Sequence, residues 1–149
     1  MASEAPSRRQ PRPRGGGRAG PAIGEQQMRT GLLVVAAAQF VTGIWLAVAP
    51  GNFVDTVASF GEVDHHFLRD ISTAYLAMGA ALALAIGRPS WRVPVLFLVT
   101  VQYAIHTLNH LVDIGGTDPA WQGYFNFVSL LGLTLLLAWL LAGAARAER

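Results

Sequence analysis

Four apolar runs divide the chain, at residues 31–49, 71–87, 93–112 and 124–142. Each is close to the roughly 20 residues that an α-helix needs to cross a hydrocarbon core of about 30 Å. None leaves the polar stripe that a helix on a water-soluble globule turns to solvent. The second run is the shortest and reaches spanning length only if Phe67 and Leu68 extend it. The pattern predicts an all-α polytopic membrane protein, an antiparallel bundle of four transmembrane helices at about 31–49, 68–87, 93–113 and 123–143.

Outside these spans the chain changes character. Residues 1–28 carry Pro6, Pro11, Pro13, Pro21, a Gly15-Gly16-Gly17 run and five arginines. They hold too little apolar surface to offset the entropy of ordering, so a disordered Arg/Pro/Gly-rich tail is expected. The transmembrane domain then covers 29–145, and 146–149 forms a short C-terminal end. Between the first two spans, Phe53, Val54, Val57 and Phe60 recur at helical spacing after Pro50-Gly51, which predicts a short helix lying in the membrane interface rather than a lid. Ala47-Val48-Ala49 resembles a signal-peptide cleavage site, but the run before it is long and Pro50 hinders cleavage, so the first helix is read as retained.

Charge sets the orientation. All 11 basic residues are Arg. Six lie at or before Arg29, Arg88 and Arg92 fall between the second and third spans, and Arg146 and Arg149 close the chain. The other two connections hold only Arg69. The positive-inside rule therefore places both termini in the cytoplasm of a bacterial inner membrane. The basic tail lacks interleaved aromatics, so it reads as an anchor near anionic headgroups, with no nucleic acid as partner. The expected partners are the lipid bilayer and other membrane proteins or further copies of the chain. There are no cysteines, which removes disulfides, thiolate metal sites and cysteine nucleophiles.

With that orientation, the four histidines and the acidic residues of the core fall at or near the outer end. Ionisable groups at a bilayer boundary are costly, so their clustering marks a candidate site. On the third span Gln102, His106, His110 and Asp113 share one helical stripe, and two histidines at i and i+4 can reach one ligand. On the second, His66 and Asp70 are related in the same way. Asp70 near a helix start and His110 near a helix end are placed as the helix dipole favours. Arg69 is expected to reach the outer surface or to bridge to Asp70, Asp64 or Asp113. His65 is expected to point elsewhere.

The ligand-binding or proton-linked set is thus Arg69, Asp70, His106, His110 and Asp113, and the metal set is His66, His106, His110 and Asp70. Four readings stay open: polar groups that close a wet bundle end, a divalent metal held by His and Asp, a bis-His haem, and a proton or quinone site. No catalytic residue is assigned. Asn126, Ser129 and Gln39 are read as bonding neighbouring helices, and Gly79-Ala80-Ala81 with Gly87 as close-packing positions.

The segment His66-Phe67-Leu68-Arg69-Asp70-Ile71-Ser72-Thr73-Ala74-Tyr75-Leu76-Ala77-Met78-Gly79 resembles the opening of the second helix in small four-helix bacterial membrane proteins of the DoxX-like superfamily, particularly its actinobacterial members. The Pro50 to Phe53 stretch and the His106 to His110 spacing are similar too, and the likeness covers about 32–142. It implies the four-helix fold, with redox, quinone-linked or thiol-stress processes as the associated setting. The working expectation is an integral inner-membrane protein with a small-ligand, metal or proton/redox-linked site at the extracytoplasmic end. The alternative is a non-catalytic structural or accessory subunit of a membrane complex.

Overall fold

The computed structural model describes residues 23–57 and 64–149. The expected tail therefore lies outside the described residues up to 22, and Phe60 and Glu62 lie outside them as well. Among the described residues every regular element is a helix: α1 (Glu25–Val48), α2 (Pro50–Val57), α3 (His65–Gly87), a single 3-10 turn (Pro89–Trp91), α4 (Arg92–Val112) and α5 (Trp121–Ala147). Four of them are long and apolar enough to cross a membrane.

The distribution of side chains supports that reading. Leu32, Leu82, Leu96, Leu137 and Leu140 are fully buried in one continuous core. Leu33, Val41, Ile44, Phe97, Leu98, Ile105, Val128 and Leu135 face outward, each more than half exposed. Apolar surface of that extent would leave a water-soluble monomer prone to associate, whereas lipid tails satisfy it.

Two intimate pairs build the bundle, α1 with α3 and α4 with α5, and they meet through lighter α3–α4 and α1–α5 contacts. Small residues allow the close approach in the first pair. Gly43 lies against Leu76, and Gly79 lies against Gln39 and Phe40. The expected packing role of Gly79 is met, whereas Ala80 faces outward and Gly87 has open space around it. Between the pairs, Gln39 Nε2 on α1 donates to Tyr103 Oη on α4 at 2.9 Å, with both residues buried.

Several helices start or stop away from their expected ends, each for a local reason. α1 begins at Glu25, inside the stretch assigned to the tail. Gly24 N–H donates to Gln27 Oε1, Met28 is buried, and the Glu25 carboxylate accepts two hydrogen bonds from the Arg92 guanidinium at 2.6 and 2.7 Å. α3 begins at His65 rather than 68, because the Asp64 side chain caps it by accepting from His66 N–H at 2.7 Å. At the far end of α3, Arg92 also donates to the carbonyls of Ala85 and Ile86, which have no partner further along the helix. One buried arginine thus joins the start of α1, the end of α3 and the start of α4. In the sequence Arg92 served only as a charge that sets orientation, and this structural role was not anticipated.

The short helix α2 is folded onto the bundle. Thr56 and Val57 carbonyls at its last turn accept from Gln122 Nε2 and Asn126 Nδ2 of α5, both at 2.7 Å. At its other end Asn52 Oδ1 accepts from Trp45 Nε1, and Phe53 meets the Trp45 ring edge-on. Gln39 and Asn126 therefore bond neighbouring helices, as their polar character within apolar runs implied. Ser129 instead faces outward.

A candidate ligand site at the histidine end

His65 and His66 open α3, with His65 beside Gly51 of α2. The last carbonyls of α2 are held by Gln122 and Asn126 in the first turns of α5, which a short connection joins to the last turns of α4 and their His106 and His110. Seven residues are nearly two helical turns, so positions seven apart point to nearly the same side. Val99 and Tyr103 are buried against the core. His106 and His110, seven further on, therefore continue the inward side of α4 towards the mouth. One seam changes along its length from aliphatic to aromatic to imidazole.

The rings follow one another edge-on, Tyr103 to His106 at 6.4 Å and His106 to His110 at 4.8 Å between centroids. His106, Asn109, His110 and Asp113 line a cavity of about 170 Å³. Both histidines are half-buried, whereas Asn109 and Asp113 are exposed at the rim. Thr107, one residue from His106, is turned to α5, where its hydroxyl shares a 2.9 Å hydrogen bond with Thr134. Gln39 fixes Tyr103 from the other side. The inward seam is thus held from two neighbouring helices.

His66 and Asp70 do not line this cavity. They form their own pair across one turn of α3, Nε2 to Oδ2 at 3.7 Å, with most of both side chains in the open. The reason is angular. Each is two residues from buried Leu68, and two residues turn a helix by about 200°. With Leu68 and Ser72 inside, His66 and Asp70 face away. Arg69 is also exposed, and among the described residues it forms no ion pair with Asp64, Asp70 or Asp113. His65 does point elsewhere, its ring beside Gly51 of α2.

Of the expected sets, the structure therefore unites His106, His110 and Asp113 and leaves His66, Arg69 and Asp70 outside. Among the described residues no three His, Asp or Glu side chains are grouped in a way that would hold a metal ion. Two members were not singled out from the sequence. Asn109 lies three residues after His106 and four before Asp113, on the stripe already recognised, so its position was readable. Tyr103, three before His106, was not among the sequence readings either; it is buried and meets His106 edge-on from the core side without lining the cavity.

Asp113 caps the C-terminal end of α4, its backbone N–H donating to the Asn109 carbonyl. A helix C-terminus carries about half a negative charge. Carboxylate and dipole therefore add at the rim. No family model, no curated protein and no solved structure matches the chain.

Proposed function

We propose that the chain is a multi-pass protein of a bacterial inner membrane, an antiparallel bundle with both termini in the cytoplasm and a small-ligand site, proton- or redox-linked in use, at its extracytoplasmic mouth. The observation that carries the reading is the cavity formed by His106, Asn109, His110 and Asp113 on the inward side of α4. Hydrogen bonds from α1 and α5 hold the neighbouring Tyr103 and Thr107, and the imidazole rings stack edge-on from Tyr103 outwards, which supports an ordered site more than a merely wet helix end.

The orientation rests on the arginines: among the described residues Arg29, Arg88, Arg92, Arg146 and Arg149 lie at or near helix ends that carry no histidine, and Arg69 alone stands beside the histidines. The antiparallel arrangement draws support from contacts that pair Gly43 with Leu76 and Gln39 with Gly79. The likeness to DoxX-like proteins, carried by the His66 to Gly79 segment, belongs to the same reading.

The test is genetic and biochemical together. His106→Ala and His110→Ala variants are expected to reach the membrane at the level of the parent protein and to reproduce the phenotype of a deletion strain. Normal behaviour of the host with both variants would assign the chain to a structural or accessory role instead. A visible spectrum and elemental content of the purified protein identify any haem or metal that the histidines hold.

A further inference from the structure

We infer that the outward face of α3 is a contact between two copies of this chain, which set α3 against α3 in parallel about a twofold axis along the membrane normal. The first argument is a contrast between the spans. The outward faces of α1, α4 and α5 carry large apolar side chains, such as Val41, Phe97, Ile105, Val128 and Leu135. On α3 only Phe67, in the first turn, belongs to that class among the described residues. Its exposed positions further along are Thr73, Ala74, Ala77, Ala80 and Ala83, with half-buried Leu84 closing the face. Lipid tails pack against large side chains as well as small ones, whereas a second helix approaches closely only where side chains are small. From Thr73 to Ala83 the small face is about 15 Å long, half the depth of a hydrocarbon core. It is distinct from the side already used by α1, which meets α3 at Leu76 and Gly79.

The second argument is charge complementarity, and it selects a second copy as the occupant. Arg69 and Asp70 are both exposed at the histidine end of this face, and among the described residues Arg69 has no ion pair. Consecutive residues lie about 100° apart around a helix. Asp70 therefore continues the flank of Ala74 and Ala77, and Arg69 the flank of Thr73 and Ala80. Copies in one membrane share one topology, so two α3 helices meet in parallel with equal residues at equal depth. A twofold axis then sets the acidic flank of each helix against the basic flank of the other. Asp70 faces the partner's Arg69, and Arg69 faces the partner's Asp70. A cation at a helix N-terminus is unfavourable by itself, and the cross-pair relieves that twice. An unrelated membrane protein would have to present both charges in the reverse order; a second copy does so by symmetry.

The natural chain has no cysteine, so single-cysteine variants of the full chain can be oxidised with copper phenanthroline in native membranes. Ala77→Cys is expected to give a disulfide-linked dimer. Val41→Cys, Val101→Cys and Val128→Cys, on the outward faces of the other spans, are expected to give none. In the Ala77→Cys background, Arg69→Asp and Asp70→Arg are each expected to lose the linked dimer, since each sets like charges against one another across the contact. The two charge variants expressed together are expected to regain it as a mixed pair, which a variant that merely fails to fold cannot do. Absence of linkage at Ala77, linkage at Ala77 only to a different polypeptide, or a dimer linked through Val101 or Val128 instead would overturn the inference. Charge variants that link singly as well as the parent would overturn it too.

Discussion

Gly123→Ala is expected to lower the unfolding midpoint of the detergent-solubilised protein more than any other single-methyl addition. A Cβ at this position would overlap the backbone carbonyl of Ile114 and press on Thr117 Oγ1. Gly123 N–H also donates to that hydroxyl at 2.8 Å, which fastens the α4–α5 connection to the first turn of α5. A backbone oxygen cannot rotate away as a side chain can, so the whole connection must shift. Overpacking of a tight contact costs about 1–3 kcal/mol, and a clash with backbone belongs at the upper end. Gly132→Ala is the control, since nothing lies within 4 Å of a Cβ built there. It is expected to be neutral or slightly stabilising, by up to about 1 kcal/mol from helix propensity. Equal shifts for the two variants would contradict the placement of the connection.

The second large effect is expected at the seam between α1 and α3. A Cβ on Gly43 would stand 2.9 Å from the Leu76 side chain and 3.2 Å from its backbone nitrogen. Gly43→Val adds branching at that point and forces the two helices apart. Lipid tails offer no hydrophobic penalty to drive the helices back together, so packing at such small residues carries much of the association. A loss of about 1–3 kcal/mol is expected, read as a lower midpoint and as faster proteolysis of the bundle in detergent. Parental stability in Gly43→Val would mean that α1 and α3 do not meet through this face.

How much of this was readable beforehand varies from residue to residue. Length and apolarity sufficed for the four spans, because a membrane filters on those two properties alone. The stripe from Gln102 to Asp113 was readable too, since helical spacing on one element needs no knowledge of its neighbours. Convergence of two elements was not. His66 and Asp70 satisfy the same i,i+4 rule as His106 and His110, yet Leu68 and Ser72 take the inward side of α3 and turn them out. Spacing says which residues share a face and not which face is buried.

The extension of α1 to Glu25 depends on Arg92, 67 positions later in the chain. No local signal near residue 25 announces such a partner. Asn126 was read as bonding a neighbouring helix, whereas Gln122 was not singled out. That they hold the last carbonyls of α2 follows only from the fold, which brings α2 across the helix ends.

The absence of cysteine in the natural chain makes the central claim directly measurable. Single-cysteine variants Asn109→Cys, at the histidine cavity, and Ser90→Cys, in the 3-10 turn between Arg88 and Arg92, are treated with a membrane-impermeant maleimide in intact bacterial cells whose outer barrier is permeable to it. Labelling of Asn109→Cys from outside, with Ser90→Cys labelled only after the inner membrane is opened, is the predicted result. Labelling of Ser90→Cys from outside, or of both positions only after opening, would contradict a membrane-spanning bundle with its histidine mouth on the extracytoplasmic side.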